Sequence, residues 1–468
     1  MPSRSITTPA TFMSVLAFAL TAGAQQQSLG NTEARSILRE ASALIPQVEP
    51  IQQSSASANI AGRQVLAGDI EGALATYGAQ TKSANDGVAL DVVASMMTSK
   101  GDLPFALDLV RTADSSLQPS AYAAITIHLA LKDDFDNALA TAHLIRGEGQ
   151  TALFVDSLMW INLHQQMAGD LPGAQATLNE ALDAVEREKN RTGAIPFAIA
   201  AMFQNIASRL VEGGNREGAL AVIERISGVI ASTDDTGQKE QLMGMLSRAQ
   251  ANAGQFDTAL GTAQQIPPSP ERDTAMETIA VERTRQGDTA GALNEAAAVD
   301  GDYLRNTSYR VVADALAGAG QDARALSVID LIEGPGERAN GLAELAFRQA
   351  GNGDPQAWAT VQLASEAALN AGDNVEPHVF ELIAVARGSL KDFSAAEEII
   401  GRLKDPDKVW PLWTITEQLA AAGRESEAIS LAESQSAPYP KVYALLGTAS
   451  ALIESQQADA AKSTNAGK

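Results

Sequence analysis

The residue types that most often carry chemistry are sparse in this chain and poorly spaced for it. There are four histidines, His128, His143, His164 and His378, no two within four residues of each other, and no cysteine. A metal needs several imidazole, thiolate or carboxylate groups converging at short spacing, so no metal site is expected. The lack of cysteine also excludes disulfides, thiolate nucleophiles and a lipidated N-terminal cysteine. No HExxH helix, P-loop or nucleophile elbow occurs. Gly147-Glu148-Gly149 and Gly318-Ala319-Gly320 each open a loose GxGxxA pattern. A dinucleotide loop must join a strand to a helix, and no strand is evident, so both read as hairpin turns. Asn190-Arg191-Thr192 and Asn306-Thr307-Ser308 match a glycosylation acceptor by coincidence. With 57 acidic residues, carboxylate pairs are too common for any one to stand out. The residues make no positive case for an enzyme, and no cofactor is expected.

Composition bounds the remaining possibilities. Of 468 residues, 45% are hydrophobic, enough for an extensive core, and wholesale disorder is excluded. A single core rarely grows past about 250–300 residues, so the chain forms several domains or a repeat array. The net charge of −23 repels phosphate backbones and anionic lipid, which argues against nucleic acid and membrane-surface partners. Arg4 is the only charge in the first 32 residues; an apolar run from Phe12 to Leu20 and the small-residue stretch Ala22-Gly23-Ala24 follow it. That pattern predicts a cleaved export signal over 1–24. No other run approaches the ~20 apolar residues of a span, so no stable membrane insertion is expected. The expected product is exported and soluble, periplasmic or secreted.

An internal repeat is the main signal. A phrase of Gly, a polar residue, three variable positions, Ala and usually Leu recurs as GDIEGAL from Gly68, GDLPFAL from Gly101 and GDLPGAQ from Gly169. It continues from Gly214, Gly254, Gly287 and Gly320, with degenerate copies from Asp133, Gly353, Lys391 and Gly423. The sixth positions fall at 73, 106, 138, 174, 219, 259, 292, 325, 358, 396 and 428, most often 32 or 33 residues apart. Before five of the copies, a basic residue is followed at four, seven and eight positions by apolar or small residues, as in Arg272, Met276, Ile279 and Ala280. That is one stripe of a 3.6-residue helix. The Gly ends it in a left-handed turn, and the Ala-Leu pair opens a second helix that closes on Ile226, Ile266, Val299, Ile332 or Leu403.

The Gly-to-Ala spacing, the small residue seven before the Gly and the late prolines resemble the tetratricopeptide repeat family, over roughly residues 55–455. The spacing is 33 rather than that family's 34, and its first-helix aromatic is replaced by Arg283, Leu316 or Gln349. The resemblance implies an all-α, right-handed superhelical solenoid of about eleven helical hairpins. The expected organisation is an export signal over 1–24, a linker and capping helix over 25–54, repeats over 55–440, a closing helix over 441–456 and a disordered tail over 457–468.

In such arrays the first helices line a concave groove, and resemblance implies which positions face it. Counting from the register residue as zero (Glu376, Lys408 and Lys441 in the last three units), position two carries His378, Trp410 and Tyr443, with Glu381 and Trp413 at position five and Glu417 at position nine. These six are the candidate partner-binding groove, since aromatic faces beside carboxylates suit peptide or cationic side chains. The basic zeros Lys239, Arg272, Arg305, Arg338, Lys408 and Lys441 start their helices, where a cation is disfavoured by ~0.3–1 kcal/mol. They are expected to form inter-repeat pairs, with Glu271, Glu337 and Asp407 as the neighbouring acids. The expected function is a non-catalytic exported scaffold for a protein or peptide partner. Alternatives are a subunit of a cell-envelope assembly or polymer-export machine, and, in another class, a helical-ring glycan-processing enzyme. That enzyme class needs aromatic sugar platforms and longer units, whereas this chain is 4% aromatic.

Overall fold

The computed structural model describes residues 32–78 and 86–466, apart from 146, 148, 192 and 300. The export signal expected over 1–24 lies outside them. Among the described residues the structure is all-helical, with 24 α-helices and three short 3-10 turns and no strand. Helices pack in neighbouring pairs, and most first helices also pack on the first helix of the next pair.

The repeat phrase sets the turns. All nine phrase-opening glycines are left-handed, with φ between 69° and 87°. At the two degenerate copies that lack Gly, Asp133 (φ 59°) and Lys391 (φ 65°) adopt the same conformation. The turn is therefore imposed by the packing of its two helices, and a side chain there is strained by about 1–2 kcal/mol. Lys391→Gly should raise stability by about 1 kcal/mol, read as a shifted urea midpoint, with a smaller gain for Asp133→Gly because Asp tolerates this region better. An unchanged or lowered midpoint for both variants would overturn this account.

The second helix docks through its small residue. Ala73, Ala106, Ala138, Ala174, Ala219, Ala259, Ala292, Ala325, Ala396 and Ala428 are all buried. The eleventh sixth-position residue is different: Trp358 is 45% exposed and Ala357 takes the buried seat, so the register there shifts by one. The apolar partners expected on both helices are also buried, among them Ile279, Val312, Leu345, Ile226 and Ile332. Within several hairpins a buried polar clasp adds direction. Thr76, Thr177 and Thr262 each donate to a glutamine twelve residues earlier, Gln64, Gln165 and Gln250, at 2.8 Å. The long steps in the repeat come from long second helices, Leu171–Lys189 and Arg216–Ala231, against eight or nine residues in Phe135–Ala142 and Phe256–Gln264.

The basic register is met by backbone as much as by acids. Arg305 Nη1 donates to the Val299 carbonyl at 3.3 Å, and Arg338 Nη2 donates to the carbonyls of Asp330 (3.0 Å) and Ile332 (3.4 Å). Those carbonyls follow the second helix of the preceding hairpin, whose negative dipole end offsets the unfavourable start of the cation's own helix. Where carboxylates take part they are Asp302 and Glu333 for Arg305, Asp405 for Lys408 and Glu40 for Lys441. Glu271, Glu337 and Asp407 pair with none of the six among the described residues, because each adjoins its cation in sequence and helical neighbours at i±1 do not face each other.

The chain divides into two compact units. The larger, Leu107–Pro411, is built on alanine-rich seams; one joins Val312, Leu316, Ile329, Leu342, Leu345 and Ile383. The smaller unit joins described residues up to Ala106 with those from Leu412 onward. In it the last helix, Pro438–Ala466, packs on Thr32–Leu44 and on Pro50–Leu66. Lys441 Nζ lies 3.3 Å from Glu40, and Arg63 Nε donates to Ser450 Oγ at 2.8 Å. A Cβ built on Gly447 would stand 2.1 Å from the Trp413 carbonyl oxygen, so only glycine permits this approach. The helix runs to Ala466, ten residues past the end expected from sequence. Residues 457–466 are mostly good helix formers that extend a helix already nucleated by packing.

Candidate functional site

In the larger unit, three successive first helices bring titratable and aromatic side chains together: Asp302–Gly318, Pro335–Gly351 and Pro377–Ser389. Proline opens the second and third, where its missing N–H is no loss. The helices are tied by paired side chains. Arg310 Nη1 donates to Glu344 at 3.1 Å, Arg348 pairs with Asp314, and His378 Nε2 donates to Asn340 Oδ1 at 3.0 Å. Asn340 and His378 both stand at position two of their units, so the repeat does place equivalent residues side by side here. His378 Nδ1 lies 3.3 Å from Glu376.

Arg310, Asn340, His378, Glu337, Glu376 and Tyr303 line a cleft of about 60 Å³. Enclosed small-molecule pockets run to about 300–1,000 Å³, so this cleft has room for a side-chain head group and not for a whole substrate. Burial pushes Glu344 up to about 7 despite the Arg310 guanidinium. Burial likewise holds His378 below its ordinary value, against the pull of Glu376. Arg310 keeps a buried Nε with no hydrogen-bond partner among the described residues. Another cavity in this unit, about 350 Å³, is lined by Asn162, Gln166, Gln175, Asn215 and apolar groups, with no titratable side chain.

Beyond His378 on the same helix, Glu381 is also pushed up to about 7, by burial first and then by repulsion from Asp407. The first turn of the next helix, Val409–Ala421, carries Trp410, 39% exposed. Its ring meets Phe347 of the Pro335–Gly351 helix edge to face, with centroids 5.6 Å apart and planes at 70°. Phe347 is itself 36% exposed. It occupies position nine of its unit, the position Glu417 holds in a later one, which was the signal available for finding it. Arg310 and Glu344 were unmarked in sequence because they sit among many ordinary charges.

The other predicted residues lie in the smaller unit, and Tyr443 is a correction. It was expected on the groove wall beside Trp410, but it is buried, and its hydroxyl is 3.0 Å from Ser55 Oγ and accepts from Asn59 at 3.3 Å. The cause is the packing of its helix against Pro50–Leu66, which covers that face. Trp413 is half-buried under the Arg63 guanidinium, 5.1 Å from the ring centroid, and 5.8 Å from the Tyr443 ring. Glu417 accepts a hydrogen bond from Trp413 and is pushed up to about 7 by burial and by Glu454. No three of His, Asp and Glu converge as a metal set among the described residues.

The raised carboxyl of Glu381 has a pH consequence. Its ordinary value is 4.5 and its folded value about 7, so folding takes up a proton between those limits. Stability therefore falls as pH rises across that window. Glu381→Gln should raise the melting temperature much more at pH 8 than at pH 5; equal shifts at both pH values would refute this assignment.

No family model matches this chain, and no curated protein does. Among solved structures it is similar to Ton1535 from Thermococcus onnurineus NA1, at 16% identity, covering 76% of this chain and 97% of that one, with a TM-score of 0.31. At that level the likeness carries no functional argument. No helix among the described residues is long and apolar enough to cross a membrane.

Proposed function

We propose that the chain is an exported, tetratricopeptide-repeat-like scaffold, wound as a right-handed superhelix, that binds a protein or peptide partner on the first-helix face of its larger unit and catalyses no reaction. The single observation that carries this reading is the exposed Phe347–Trp410 pair. Burying a large aromatic is worth roughly 1.5–3 kcal/mol, and binding hot spots favour Trp for that reason. The cleft lined in part by the same Pro335–Gly351 helix is small, which suits side chains of an extended polypeptide better than an enclosed substrate. The net charge of −23 disfavours a nucleic-acid partner, and the leader-like first 24 residues support export into the periplasm or beyond.

The test is affinity capture from the envelope fraction of the source cells with wild-type protein and with Trp410→Ala. A polypeptide retained by the wild type and lost with the variant, at unchanged melting temperature, is the expected result. Identical captured sets, or a variant that melts several degrees lower, would remove Trp410 from the binding face and the reading with it.

A further inference from the structure

At the 350 Å³ cavity of the larger unit the repeat is broken in three places. Seven positions before the phrase-opening residue, ten of the eleven units carry Ala, Ser or Thr; the exception is Asn162. Three positions before it, the other units carry Val, Thr, Ala or Gly, and the same unit carries Gln166. One position before it, only the following unit carries glycine, Gly213. Asn162, Gln166 and Gly213 all line the cavity, with Asn215 and an apolar wall that includes Leu171 and Leu178. Packing of a hairpin does not require an asparagine here. Ser247, at the position of Asn162, bonds the equivalent carbonyl, that of Ala259, at 2.8 Å.

Two backbone groups fix which way these amides point. The Ala174 carbonyl can only accept, so Asn162 turns Nδ2 to it, at 2.6 Å, and its Oδ1 accepts from Gln166 Nε2. Gln166 Oε1 is then left as an acceptor with no partner among the described residues. The Gly218 N–H can only donate, so Asn215 gives it Oδ1, at 2.9 Å, and keeps Nδ2 as an unused donor. Gly213 makes room for the Gln166 amide. Its φ of −76° needs no glycine, but a Cβ there would stand 2.8 Å from both Cδ and Oε1 of Gln166. The cavity thus offers one positioned acceptor and one positioned donor, and no titratable side chain lines it.

We propose that this cavity binds a neutral amide group, whose N–H donates to Gln166 Oε1 and whose carbonyl accepts from Asn215 Nδ2. The site shares no residue with the Phe347–Trp410 pair and does not rest on it. A charged head group would give up its water with no counter-charge in the lining. A hydrocarbon would strip water from both unused amide groups without replacing their hydrogen bonds. A sugar would find no aromatic ring in the lining to stack on. An amide carries the matching donor and acceptor together, and asparagine, glutamine and the peptide backbone all supply one.

Three capped peptides, acetyl-Ala-Gln-Ala-methylamide and its analogues with Ala or Glu in the centre, test this on the full-length protein. Binding is read by NMR from the side-chain NH2 signals of Asn162, Gln166 and Asn215, which report on this cavity and not on Trp410. The glutamine peptide should move them. Tighter binding of the glutamine peptide than of the alanine one assigns a side-chain carboxamide, and equal binding of the two assigns the backbone amide. Gln166→Ala and Asn215→Asp each install a residue that other units already carry, and Asp170 and Asp288 show that aspartate keeps the cap. Each variant should therefore melt as wild type does and bind about tenfold more weakly. The proposal is overturned if either variant binds at wild-type strength, or if the glutamate peptide binds more tightly than the alanine one. Signals that move with glucose in place of the peptides, or with no peptide at all, overturn it equally.

Discussion

Replacing Gly447 with alanine should lower the stability of the smaller unit by about 3 kcal/mol or more, and valine at that position should prevent the unit from forming. The added Cβ would lie 2.1 Å from the Trp413 carbonyl oxygen, 2.9 Å from its carbon and 2.3 Å from Thr416 Oγ1. Two of those three obstacles are backbone and cannot rotate away, so the last helix must move outward. That displacement breaks the buried bond from Thr416 Oγ1 to the Ala444 carbonyl, 2.8 Å long. Overpacking of this kind costs about 1–3 kcal/mol, and an orphaned buried polar group adds about 1–3 kcal/mol. Urea unfolding followed by tryptophan fluorescence would read the loss, since Trp413 stands at the contact. A Gly447→Ala midpoint equal to the wild type would mean that the two helices do not approach as closely as described.

The second large effect concerns the last helix as a whole. Deleting residues 438–468 removes the main surface on which Thr32–Leu44 rests, while Pro50–Leu66 keeps its packing on Ile70–Gly78 and Asp86–Ser99. Ile37 and Leu38 are buried in Thr32–Leu44, and each is worth roughly 1.5–3 kcal/mol when removed from water. The deletion also leaves Arg63 without Ser450, and Glu40 without Lys441. Amide hydrogen exchange should therefore show loss of protection over 32–44, while residues 151–389 of the larger unit exchange as before. Retained protection over 32–44 would show that the first helix holds its place without the last one.

Much of the repeat could be read from sequence because its determinants are short-range. A left-handed turn and a small residue five positions on are local requirements, and they identify the turns even where Asp133 and Lys391 replace the glycine. The reading slipped at Trp358, where Pro355 disturbs the phrase and Ala357 supplies the buried methyl. The site was legible where neighbouring units repeat faithfully, as the Asn340–His378 contact shows. Trp410 and Tyr443 share a repeat position yet differ completely in exposure. What separates them is a partner 388 residues away in sequence, Ser55, and no periodicity within one unit reports on that. Phe347 was missed for a related reason: its value depends on meeting Trp410 from another helix.

The smaller unit is assembled from segments separated by about 300 residues of intervening chain, Leu107–Pro411. Each hairpin closes over a handful of residues, whereas this contact must close a loop some twenty times longer. Since loop entropy grows by about 0.6 kcal/mol per doubling, the extra barrier is roughly 2–3 kcal/mol. Long-range closure also slows folding relative to local helix pairing. As a chain emerges in order, Pro50–Leu66 can pair with Ile70–Gly78 and Asp86–Ser99 and the hairpins of the larger unit can complete themselves one after another, while helix Thr32–Leu44 waits for its main partner until Pro438–Ala466 arrives. The earliest helix among the described residues is thus among the last to find its place, and during that interval it is the part of the molecule most in need of a chaperone.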